Sequence, residues 1–212
     1  MEERCAVEQL LDYPKEKGLH YETHKSNKRF LLVPKDPILN TKYVLFKRDD
    51  LIFFASDSYG AKAHMSQTFT GVYSLSNYDT DFECETTKRF WLDNFRTRKK
   101  KTGVKRIDAN LTIRSHVDKN IKELVTEKAM ALFLELSNRI TPVKLLVKTD
   151  YLSLIDDFKS KNIIGLETNQ WIYKTEDIEA LLNIGGEIIE ELKKQRSNKR
   201  ANKNTYNLQQ AL

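Results

Sequence analysis

The sequence predicts an α+β fold: a β-rich N-terminal part, then mixed strands and helices packed on a mainly antiparallel sheet. Two observations predict it. Residues 19–86 are rich in aromatic and β-branched types broken by turn residues, whereas the strongest helical periodicities fall in the second half. Strands first and helices mostly later argue against a doubly wound parallel sheet. A third observation bounds the class: 212 residues, 40% hydrophobic and 31% charged, are enough to bury a sizeable core.

In chain order, residues 3–12 read as a short helix with Val7, Leu10 and Leu11 on one face, ended by Pro14 and Gly18. Strands are expected at Leu19–His24, Arg29–Val33, Tyr43–Lys47, Leu51–Ser56, Phe69–Ser76 and Asp81–Thr86. Arg48-Asp49-Asp50 reads as a hairpin connection, and Thr87–Phe95 as a helical turn or two. Leu111–Arg114 is a further strand, after which Asp118 or Asn120 can cap a short helix carrying Ile121, Leu124 and Val125. Thr126 caps Glu127–Asn138, a helix apolar nearly all round and therefore buried on most sides. Val143–Lys148 and Tyr151–Ile155 read as a hairpin around Lys148-Thr149-Asp150, with another strand at Trp171–Tyr173. Thr175 caps the last helix, whose stripe is Ile178, Leu181, Leu182, Gly185, Ile188, Ile189 and Leu192. The implied organisation is a β-rich part at 1–97, a basic connector at 98–106, an α+β part at 107–196 and a flexible basic tail at 197–212.

Charge is the most informative feature after the fold. The bases Lys88, Arg89, Arg96, Arg98, Lys99, Lys100, Lys101, Lys105 and Arg106 share their segment with one acid, Asp93. Six more bases, Lys193, Lys194, Arg196, Lys199, Arg200 and Lys203, follow without an acid. These segments carry +8 and +6 in a chain of net charge +6, so the remainder is net −8. Two local positive fields on an acidic body suit phosphates or acidic surfaces. No apolar run approaches the ~18 residues of a membrane span. The acidic start Met1-Glu2-Glu3-Arg4 is unlike a secretory signal. Cys5 and Cys84 read as thiols in a reducing compartment, so a soluble cytoplasmic protein is expected.

Few residues fall into a pattern that carries chemistry. Asp79, Asp81, Glu83 and Glu85 alternate along one strand face, as do His20, Glu22 and His24. On a strand, i and i+2 side chains stand roughly 7 Å apart, so solvated faces are expected before Mg²⁺, Ca²⁺ or Zn²⁺ sites. The H-x-E spelling lacks the P-C-x-x-C of zinc deaminases. His64 and His116 are isolated, and Cys84 reads as a buried inert thiol beside Phe82. Gly185-Gly186 sits in no phosphate-binding pattern and points to close helix packing. Asp156-Asp157-Phe158-Lys159 superficially matches a nuclease element. Phe90, Trp91 and Phe95 among the bases of 88–106 fit either a buried helix face or a stacking site for single-stranded nucleic acid.

From Phe82 to about Lys194 the chain resembles an uncharacterised domain of many bacterial proteins, often found alongside membrane segments. The matching pieces are Phe82-Glu83, Trp91-Leu92-Asp93, Thr102-Gly103, Ile107-Asp108 and Leu111-Thr112-Ile113-Arg114-Ser115. The helices Glu127–Asn138 and Asp177–Lys194 follow in order. Ile107 stands where an aromatic is usual, and no membrane segment accompanies the domain here. The resemblance implies an α+β domain without assigned activity and supplies no catalytic residue.

The expected function is therefore a non-enzymatic binding or accessory protein with no cofactor and no metal, acting through a surface on a protein partner. The alternative is nucleic-acid binding through 88–106 and the basic tail. Third stands a metal-dependent hydrolase or nuclease using the acidic row or Asp156 and Asp157.

Overall fold

The structure is a computed structural model that describes residues 6–26, 30–31, 37–38, 40–59, 67–78, 82–90, 100–115, 126–152 and 155–209. Ten strands are β1 (Tyr21–Ser26), β2 (Phe30–Leu31), β3 (Pro37–Ile38), β4 (Asn40–Arg48), β5 (Leu51–Tyr59), β6 (Gln67–Leu75), β7 (Cys84–Lys88), β8 (Leu111–Ser115), β9 (Lys144–Thr149) and β10 (Asn162–Thr168). The α-helices among the described residues are α1 (Ala6–Glu16), α2 (Lys105–Asn110), α3 (Glu127–Arg139) and α4 (Thr175–Gln209). Eight strands form one antiparallel sheet in the order β1-β4-β5-β6-β10-β9-β7-β8, and β2 and β3 pair separately. This is the predicted α+β class. Strands from both sides of residues 98–106 share the sheet, because β6 pairs directly with β10 and β7 with β9. Of that segment, Lys100 bridges to Ile113 and Lys105 opens α2.

Alternation along the strands divides the core between two faces. Val44, Phe46, Phe53, Val72, Val147, Ile164 and Leu166 face the helices. Leu45, Ile52, Phe54, Tyr73, Leu146 and Ile163 face the other way, beneath Tyr151, Leu152, Ile155 and Phe158. The β4–β5 hairpin turns at Asp49-Asp50, with Asp49 at φ 56°, a conformation Asp tolerates better than most residues.

Four expectations need correction. Tyr151–Ile155 is not the strand that returns from β9. Asp150 and Leu152 have positive φ, which breaks extended structure, and Tyr151, Leu152 and Ile155 cap the second face before a 3₁₀ turn at Asp156–Phe158. The returning strand is β10, where Asn162 faces Thr149 and Glu167 faces Lys144. Trp171–Tyr173 is irregular chain leading into α4. The helix-opening carbonyl belongs to Lys174, which accepts from Ile178 N at 3.0 Å, so Thr175 lies one place inside the helix. Finally, α1 runs through Pro14 to Glu16 and ends at Gly18 (φ 65°), because burying Tyr13 and Pro14 on the sheet offsets the bond that proline cannot donate.

Thr126 caps α3 as expected, accepting from Ala129 N at 2.9 Å. Helix α4 carries the whole predicted stripe into the core, with Ile178, Leu181, Ile188, Ile189 and Leu192 fully buried. A Cβ on Gly185 would lie 3.0 Å from Val72, and one on Gly186 2.8 Å from Leu51, so the glycine pair serves close packing on the sheet. The backbone of α4 continues through 197–209, where a tail was expected.

Three carboxyls fasten this framework. A hydrogen bond from Lys193, working against burial, holds Asp50 below the ordinary carboxylate range. Burial pushes Asp108 up, but Thr102 N, Thr102 Oγ1 and Gly103 N all donate to it at 2.8–3.1 Å and hold it low. Burial likewise opposes Tyr13, Lys17, Arg48 and Asn183 at Glu179, and the four partners prevail. All three values are depressed in the fold, so the unfolded chain binds protons more readily. Their stabilisation is complete above the unfolded values near about pH 4 and is lost as pH falls through the folded ones. The urea midpoint is expected to drop between about pH 5 and pH 3, and to drop less in Asp108→Asn. An equal drop in the variant would show that Asp108 has no part in it.

Candidate ligand-binding groove

At one end of the sheet β7 finishes, β9 begins and β10 ends, and the chain between α3 and β9 turns through a cis Thr141-Pro142 bond. The described residues there outline a groove of about 570 Å³. Phe90, Pro142 and Val143 supply apolar wall, and Phe90 is 60% exposed. Lys88, Arg89 and Lys144 supply three cations, and Glu167 the one carboxylate.

Glu167 is buried, with 3% of its surface exposed. A buried carboxylate needs several donors, and strand register brings them together. Lys144 lies directly opposite on β9, and its Nζ stands 2.7 Å from Oε1. Tyr73 Oη donates to Oε2 at 2.7 Å, and Tyr151 Oη donates to the same oxygen at 2.9 Å. Burial, then the Glu167 charge, push both phenols well above their ordinary range, so both remain donors. Tyr73 reaches Glu167 by lying across two glycines. A Cβ on Gly165 would fall 2.2 Å from its ring, and one on Gly71 2.4 Å from its hydroxyl.

Of the predicted basic residues, Lys88 and Arg89 line the groove. Lys88 Nζ donates to Asn138 Oδ1 at 2.7 Å and Arg89 Nη1 to the Asp108 carbonyl at 2.6 Å. Lys100 is half-buried at its bridge, and Lys101, Lys105 and Arg106 are exposed around the start of α2. Arg96, Arg98 and Lys99, with Trp91 and Phe95, lie outside the described residues. Lys193 is at the other end of the sheet. It bonds Asp50 and Ser74, and Ser74 pairs with Ile164, three residues along β10 from Glu167. The structure thus does not bring Lys193 together with Lys88.

The remaining candidates hold structural contacts. Glu85 pairs with Arg114 at 3.3 Å, Glu83 is exposed, and Asp79 and Asp81 lie outside the described residues. His24 stacks on Tyr43 with centroids 5.3 Å apart, beside exposed His20 and Glu22, while His64 and His116 are outside the described residues. Asp157 is bridged by Lys47, and Asp156 is exposed. Burial pushes the Cys84 thiol up to about 12, which leaves it without nucleophilic character at neutral pH. Among the described residues no three His, Cys, Asp or Glu side chains converge to hold a metal. Among them, too, no helix is long and apolar enough to cross a membrane.

Fold and groove together define an α+β protein with an eight-stranded antiparallel sheet and a groove at the sheet's end. No family model matches the chain, and no curated protein does. Among solved structures, the mycobacterial trehalose monomycolate transport factor A is similar in fold, with a TM-score of 0.53 at 11% identity. The alignment covers 90% of this chain and 95% of that one.

Proposed function

We propose that this protein is a non-enzymatic binding or accessory module that receives a small ligand in the groove between β7, β9 and β10. One observation carries the reading. The groove's volume, about 570 Å³, lies within the few-hundred-to-thousand range of small-molecule sites, and its make-up is apolar wall with a few placed charges. The likeness in fold to a transport factor supports an accessory role of this general kind.

The uncharged apolar dye Nile red tests it. Saturable fluorescence enhancement is expected with the folded protein. Asn169→Trp, at an exposed position on the groove wall, is expected to weaken binding by about tenfold or more while leaving the melting temperature unchanged. No saturable binding, or binding indifferent to the tryptophan, would overturn the reading.

A further inference from the structure

Among the described residues that line the groove are three cations and one carboxylate, and that carboxylate is already committed. Both of its oxygens accept hydrogen bonds inside the protein, from Lys144 on one side and from Tyr73 and Tyr151 on the other. Glu167 is therefore a poor partner for an incoming cation, which would have to displace three donors from a buried site.

The cations are placed differently. Lys144 keeps 31% of its side chain accessible while Glu167 keeps 4%, so of the pair it is the lysine side chain that offers surface to the groove. An ammonium has three N–H donors, and one of them suffices for Glu167 Oε1. Lys88, exposed at the rim, bonds to a neutral amide oxygen. Arg89 adds a guanidinium to the same wall. Next to these heads lie Phe90, Pro142 and Val143, a surface suited to hydrocarbon.

We infer that the ligand is a single-chain amphiphile with a small anionic head, placed between Lys144 and Lys88, and with its tail along the Phe90–Val143 wall. This rests on the groove being a binding site, as proposed above. In this arrangement Glu167 is a positioning residue. It fixes Lys144 from below, and the two tyrosines keep its own charge from turning toward the ligand.

Three probes with the same ten-carbon tail separate head from tail: decanoate, decyl maltoside and decyltrimethylammonium, titrated calorimetrically below their micelle concentrations. Decanoate is expected to bind about tenfold or more tighter than the maltoside, with the ammonium weakest. Its affinity alone is expected to fall on raising the salt, as screening requires. Lys88→Gln and Lys144→Gln are each expected to bring decanoate toward the maltoside while leaving the maltoside unchanged. Lys88→Gln leaves the buried network intact and decides the matter if Lys144→Gln does not fold. Equal binding of all three heads, or preference for the ammonium, overturns the anionic assignment and leaves the groove standing. If none binds, the assignment fails as well, and the Nile red experiment decides the groove separately.

Discussion

Glu167→Ala is expected to destabilise the fold by about 3–5 kcal/mol, the range for removing one partner of a buried ion pair. The loss has two parts. Lys144 is left half-buried without its counter-charge, a penalty that its partial exposure softens. The Tyr73 and Tyr151 hydroxyls, both in the buried layer under residues 151–158, lose the acceptor they share. A buried unsatisfied hydroxyl costs about 1–3 kcal/mol, and here there are two. Glu167→Gln keeps an oxygen for the tyrosines but turns an NH2 donor toward Lys144 in place of the charged acceptor, so it is expected to cost less than the alanine variant but more than the loss of one tyrosine donor. Tyr73→Phe removes one donor from an oxygen that retains another, for about 1 kcal/mol. Urea unfolding monitored by tyrosine and tryptophan fluorescence checks the order Ala, then Gln, then the phenylalanine variant. A wild-type midpoint for Glu167→Ala would show that the network contributes nothing to stability.

The second large effect belongs to Gly165. It lies directly across from Tyr73 in the β6–β10 register, and a Cβ there would sit 2.2 Å from Cδ1 and 2.8 Å from Cε1 of the ring. The ring cannot step aside cheaply. Its hydroxyl is held by Glu167, and Phe158 packs against its edge with centroids 6.4 Å apart. Gly165→Ala is therefore expected to cost about 3 kcal/mol, the upper end for an overpacked core. The cause can be isolated by a double-mutant cycle. In a Tyr73→Ala background the same alanine meets an empty space and is expected to cost under about 1 kcal/mol, a coupling of roughly 2 kcal/mol. Additive penalties would mean that the glycine is needed for its backbone and not for the room it gives the ring.

The sequence made some elements plain and hid others for physical reasons. Helix α4 announces itself through Ile178, Leu181, Leu182, Ile188, Ile189 and Leu192, since a helix covering one side of a sheet must repeat its apolar residues every third or fourth place. The β4–β5 hairpin is marked by charged residues between two apolar runs. Strand β10 is the reverse case. All seven of its residues are buried, so it shows no alternation, and Tyr151–Ile155, with its aromatic and branched residues, reads as the better strand. Missing β10 meant missing Glu167. Two members of the basic run, Lys88 and Arg89, line the groove, but Lys144, Glu167, Tyr73 and Tyr151 come from strands and a turn scattered over the chain and share no motif. A faint signal existed in Gly71 and Gly165. A glycine inside an apolar strand marks a place where something large approaches the backbone, and here that is the ring of Tyr73.

The seam between β6 and β10 has a consequence for how the protein is made. Tyr73 leaves the ribosome 94 residues before Glu167. At ordinary translation rates of about 5–20 residues per second, that is a delay on the order of ten seconds. For that interval the nascent β1-β4-β5-β6 half has an aromatic-rich strand open along its side, its future neighbour not yet synthesised. An open strand of that kind pairs readily with other chains, so the β6 edge is the surface most exposed to mispairing until β10 has been made.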